Sequence, residues 1–125
     1  MLKGKKIVLG VTGGIAVYKA VDLVSKLRKE GADVRVVMTE SAAKFVTPLT
    51  FKEISGNTVA VSMWAEDQEF HVEHIALADW ADLMIIAPAT ANILAKAANG
   101  IADDLLSTVI LASKTPIVLC PAMNC

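Results

Sequence analysis

The chain has 125 residues, 54% of them hydrophobic and 20% charged, with a formal net charge of −1. This composition excludes disorder, the charge predicts neither a nucleic-acid partner nor a membrane surface, and the longest apolar stretch, 13 residues from Leu83 to Ala95, falls short of the about 20 that a spanning helix needs. Counting the 7 glycines raises the apolar share to roughly 60%, against about 45–50% in ordinary domains, which predicts one soluble domain with a sheet buried on both faces or a surface covered by other subunits.

Ile7–Val11 is an apolar run without alternation, as a strand covered on both faces should be. Thr12-Gly13-Gly14 is a turn, and Ile15–Glu30 carries a helical stripe (Ala16, Ala20, Leu23, Val24, Leu27) stopped by Gly31. Val34–Met38 is a second strand. Thr39-Glu40-Ser41 caps a short helix around Ala42–Val46, and Pro48 opens another that ends near Gly56. Asn57–Val61 is a weak strand candidate, and residues 62–73 have no clear period and read as a loop. A helical segment, His74–Trp80, leads into the strand Leu83–Ala87. Helices Thr90–Ala98 and Asp103–Ala112 follow, and Ile117–Cys120 is the last strand. Strands alternating with helices predict an α/β fold, a doubly wound parallel sheet in a single domain.

In such a sheet ligands bind beyond the carboxyl ends of the strands. That rule selects Thr12–Ile15, Thr39–Ser41, Pro88–Asn92 and Pro121–Asn124, all small, polar or Gly/Pro-bearing. Gly10-Val11-Thr12-Gly13-Gly14-Ile15 lacks the glycine spacing of a dinucleotide turn; hydroxyls at a helix N-terminus suit a single phosphate, although a tight turn needing small residues explains the glycines equally well. His74 opens a helix after an irregular loop and has the side chain suited to proton transfer near neutral pH, but structural capping is the commoner role of a lone histidine. With His71 and two cysteines, Cys120 and Cys125, it makes no recognisable metal pattern, so no metal is expected. Asn124 follows Pro-Ala-Met at a strand end, as a turn residue or as an amide able to hold a substrate carboxylate. Asp103-Asp104 read as an N-terminal helix cap. The two cysteines form no disulfide framework, and the default expectation is a cytoplasmic protein. Residues 1–52 carry +6 and residues 53–125 carry −7, which reads as two differently solvated surfaces or as a head-to-tail contact between copies.

Five segments together are familiar: Gly13-Gly14-Ile15-Ala16-Val17-Tyr18-Lys19, His74-Ile75 with Trp80-Ala81-Asp82, Ala87-Pro88-Ala89-Thr90-Ala91-Asn92, Gly100-Ile101-Ala102-Asp103-Asp104-Leu105, and Pro121-Ala122-Met123-Asn124. In this order they resemble the homo-oligomeric flavin-containing cysteine decarboxylases, above all the branch acting on 4′-phosphopantothenoylcysteine in coenzyme A biosynthesis. The resemblance covers essentially the whole chain. It implies a flavodoxin-like fold and an FMN cofactor approached by the backbone of Gly13, Gly14 and Ile15. Thr39 and Ser41 would serve its phosphate-ribitol end, with Thr90, Ala91, Asn92 and Ala122 completing the pocket. His74 would be the catalytic histidine and Asn124 the substrate-binding residue. The family also implies a homotrimer or a dodecamer of trimers, and a phosphopantothenoylcysteine synthetase that is fused or separate. Its motif continues to a further Met and a flap bearing a cysteine, so residues 1–125 are expected to be the flavoprotein domain without its C-terminal part. A peptidyl-cysteine decarboxylase, or a non-catalytic FMN-binding regulatory subunit, are the alternatives on the same scaffold.

Overall fold

The computed structural model describes residues 2–62 and 75–121. Five parallel strands, β1 (Lys6–Val11), β2 (Asp33–Thr39), β3 (Ala60–Ser62), β4 (Leu83–Ala89) and β5 (Ile117–Pro121), form one sheet in the order β3-β2-β1-β4-β5. The connections are α1 (Val17–Lys29), a 3-10 turn (Ala42–Lys44), α2 (Pro48–Ser55), helical residues 75–80 (α3), α4 (Ala91–Asn99) and α5 (Leu105–Ala112). Chain order reverses at β1, whose neighbours are β2 and β4. A doubly wound sheet opens its ligand crevice at that switch point.

The unalternating strands are explained by two cores. Ile7, Leu9 and Val11 of β1 and Val34, Val36 and Met38 of β2 face Val17, Ala20 and Val24 of α1 and Phe51 of α2. Val8, Val37, Met84 and Ile86 point the other way, onto Ile93 of α4 and Leu105, Leu106 and Val109 of α5. Side chains alternate across a strand, so both sets must be apolar when both faces are covered. Gly10 allows α5 to pack closely on β1: a Cβ there would lie 2.6 Å from Leu106 Cδ1. The expectation of a sheet buried on both faces holds for β1, β2 and β4. It fails at the β5 edge, where Val118 and Leu119 are 46% and 41% exposed.

Several boundaries move for identifiable reasons. Helix α1 begins at Val17 rather than Ile15, because residues 14–16 form a turn in which the Val17 N–H donates to Gly14 O at 3.1 Å. The weak strand starts at Ala60, not Asn57: the Asn57 side chain donates to Asp33 Oδ1 at 2.8 Å and to Val34 O at 2.7 Å, tying that turn to the start of β2. Helix α4 starts one residue late because Thr90 is its cap, accepting from the Ile93 N–H at 3.4 Å. In the same way Asp104 caps α5, with Ser107 returning the bond in a capping box. Helix α3 joins the second core through Leu77, with Ala81 just after it, and the Arg35 guanidinium of β2 stacks 4.3 Å from the Trp80 ring centroid.

Candidate functional site

The exits of β1 and β4 are tied together by one side chain. Thr12, almost wholly buried, donates its hydroxyl to Pro88 O and accepts from the Thr90 N–H at 3.0 Å, while its own N–H donates to Pro88 O at 3.3 Å. Thr12→Val keeps the shape and removes the hydroxyl. The Thr90 N–H then loses its acceptor, and stability should fall by about 1–3 kcal/mol in urea unfolding, with an unchanged m-value.

The two glycines that follow are required for different reasons. At Gly13 the obstacle is space: a Cβ would collide with Ser41 Oγ and lie 2.7 Å from Ser41 Cβ. At Gly14 it is conformation, since φ is +146° while the space around it is open. Beyond them, the N–H groups of Gly13, Gly14, Ile15 and Ala16 have no acceptor among the described residues. Across the crevice, the hydroxyl that caps the 3-10 turn is that of Thr39, which accepts from the Ala42 N–H at 3.1 Å. Ser41 provides no capping bond, and its exposed hydroxyl has no partner among the described residues.

Two clefts open on this rim. The first, of about 420 Å³, brings together the expected Gly13, Thr39, Ser41, Thr90 and Asn92. The second, of about 650 Å³, brings Gly13, Gly14 and Ile15 against Tyr18, Pro88 and Cys120. They meet at Gly13 and Thr90, which line both. Ala91 lines neither and sits exposed at the first position of α4. The positions expected for His74, Ala122 and Asn124 lie outside the described residues.

The sequence reading missed the charged wall of the first cleft. Lys96 of α4 pairs with Asp103 at 2.8 Å and stands 3.7 Å from Asp104, with its side chain only 17% exposed. Partial burial lowers the Lys96 pKa, but the hydrogen bond to Asp103 and both carboxylate charges outweigh it and leave the pKa raised. The same hydrogen bond from Lys96 holds the Asp103 carboxyl below its ordinary value, against the effect of desolvation. The signal in the sequence was a lysine and two acids on either side of Gly100, whose left-handed φ of +66° reverses the chain. The second cleft also gained Tyr18 and Cys120, on which sequence reasoning had placed no role.

Chemically the arrangement is divided. Free backbone N–H groups and hydroxyls suit a phosphate monoester and a polyhydroxyl chain, and Ile15, Tyr18 and Pro88 offer an apolar bed for a planar ring. A side chain on Gly13 would fill the joint between the two.

Comparison with known proteins points the same way. The Flavoprotein family profile matches residues 1–125. The coenzyme A biosynthesis bifunctional protein CoaBC of Bacillus subtilis is 53% identical over 124 residues, 99% of this chain and 30% of that protein. The chain thus spans about 30% of the length of the curated relatives it matches. Among solved structures, the FMN-dependent cysteine decarboxylase SpaF superposes with a TM-score of 0.87 at 36% identity, covering 99% of this chain and 71% of that one. A PPC decarboxylase mutant complexed with pantothenoylaminoethenethiol superposes at 0.77 with 32% identity, covering 96% and 68%.

Proposed function

Because this chain belongs to the flavoprotein family, we propose that residues 1–125 supply the FMN-binding domain of an enzyme that decarboxylates 4′-phosphopantothenoylcysteine to 4′-phosphopantetheine in coenzyme A biosynthesis. The observation that carries this reading is the crevice at Gly13, where backbone and hydroxyl donors adjoin an apolar bed, in a chain 53% identical to a coenzyme A biosynthesis protein.

The chemistry FMN supplies is two-electron oxidation of the substrate's thiol-bearing carbon towards a thioaldehyde, the electron sink for loss of CO₂, and the electrons then return to the product. The residues of this chain bind and orient. The Gly13 N–H and the hydroxyl of Ser41 receive the anionic and polyhydroxyl parts, with Thr39 and Asn92 beside them, and the N–H groups of Gly14–Ala16 continue along the second cleft. Thr90, which caps α4, lines both clefts, and Ala91 opens the helix behind it. His74 moves the proton, Asn124 anchors the substrate, and Ala122 completes the pocket. Ile15 and Tyr18, 75% and 60% exposed beside the second cleft, support a contact with another copy, as a homotrimer or a dodecamer of trimers. A synthetase partner, fused or separate, and a cytoplasmic location complete the proposal.

The purified protein, produced with the whole flavoprotein domain, should be yellow, release FMN on denaturation and evolve CO₂ from 4′-phosphopantothenoylcysteine. A colourless protein that FMN cannot reconstitute rejects the flavin reading. Turnover of a C-terminal peptidyl cysteine in place of the small substrate would select the peptidyl-cysteine reading.

A further inference from the structure

The first cleft combines donors suited to an anion with an excess of acidic side chains. Its described lining includes three acids, Glu40, Asp103 and Asp104, and Lys96 is the one basic side chain there. A phosphate monoester brings about −1.5 to −2 at pH 7, so the carboxylates would repel it. Lys96 is placed to prevent this. Its ammonium lies on Asp103 at 2.8 Å and 3.7 Å from Asp104; Lys96 and Asp104 are largely shielded from solvent, whereas Asp103 is 59% exposed. Asp104 is not free to turn away, because one of its carboxylate oxygens accepts from the Ser107 N–H at 2.9 Å and the Ser107 hydroxyl at 2.6 Å. Asp103 is held less firmly, by its ion pair with Lys96.

We infer that Lys96 sets the cleft's selectivity for a phosphorylated over an unphosphorylated flavin, acting as counter-ion to Asp103 and Asp104 rather than as a direct ligand. This rests on the flavin reading above. A lysine that merely braced the α4–α5 turn would affect all ligands alike, whereas a counter-ion affects the charged one.

The test compares FMN with riboflavin, which differs by the phosphate alone, by flavin fluorescence quenching on the apo-protein. Lys96→Met should weaken FMN by about tenfold or more and riboflavin by less than about threefold, with the gap narrowing as salt is raised. Adding Asp103→Asn to Lys96→Met removes one of the repelling charges and should recover most of the FMN loss. Lys96→Arg should retain the preference. Should Lys96→Met fail to fold, Asp103→Asn alone, with Lys96 intact, reads the same effect: FMN tightens and riboflavin does not. Equal losses for the two flavins, or no recovery in the double variant, overturn the inference. Wild-type protein that binds neither flavin brings down the flavin reading itself.

Discussion

Gly13→Ala is expected to bind FMN at least about a hundredfold more weakly than the wild type, roughly 2.7 kcal/mol of affinity, while remaining folded. The added methyl group would collide with Ser41 Oγ, lie 2.7 Å from Ser41 Cβ and 3.1 Å from the Ser41 carbonyl carbon. A rotamer change moves only the first of these. The backbone at the end of β2 must shift, and it carries Thr39 and Ser41 away from the β1 turn across the cleft they share. The two cores lie beneath this rim, which is why binding suffers before folding does. Ser41→Gly in the same chain removes the opposing side chain and should restore part of the affinity. Fluorescence titration decides the matter, and wild-type affinity in Gly13→Ala would show that the crevice tolerates the extra atom.

The second large effect concerns chemistry rather than binding. In the complete flavoprotein domain, His74→Asn should retain FMN and lose about 10²–10⁴-fold in CO₂ release, the range for removing a general acid–base group. Asparagine keeps a hydrogen-bonding side chain of similar reach but takes up no proton near neutral pH. The helix that follows is firmly seated, through buried Leu77 and Ala78 and the Arg35–Trp80 stack, so a substitution before it should leave the fold standing. Undiminished turnover, with flavin content checked by absorbance, would take His74 out of the mechanism.

What could be read in the sequence follows from how local each signal is. The strands β1 and β4 announced themselves because both faces are covered, which leaves no polar position to interrupt Ile7–Val11 or Leu83–Ala87. Gly56 and Gly100 marked helix ends because each adopts the left-handed backbone that other residues avoid. Asp103-Asp104 were legible as a cap, since the capping oxygen and its amide lie within one turn. The site's rim followed from topology, and Gly13, Thr39, Ser41, Thr90 and Asn92 do meet there. Contacts between distant segments carry no such mark. Thr12 and Pro88 are 76 positions apart, and nothing in either neighbourhood names the other. Lys96 carries no local mark either, since it meets Asp103 only through the turn at Gly100. The exposed faces of β5 were likewise invisible, because Ile117–Cys120 has the same apolar composition as the buried strands.

The bonds from Thr12 to the β4 exit also bear on how quickly and tightly a ligand can settle. Ordering a flexible loop costs about 1–2 kcal/mol of conformational entropy for each residue fixed, and a crevice made of loose ends would lose that when the ligand arrives. Here the Gly13 turn and the Thr90 cap are joined by Thr12 during folding. Their relative position is already set in the empty protein, so association there resembles docking onto a rigid edge, and little of the intrinsic interaction is spent on freezing the chain.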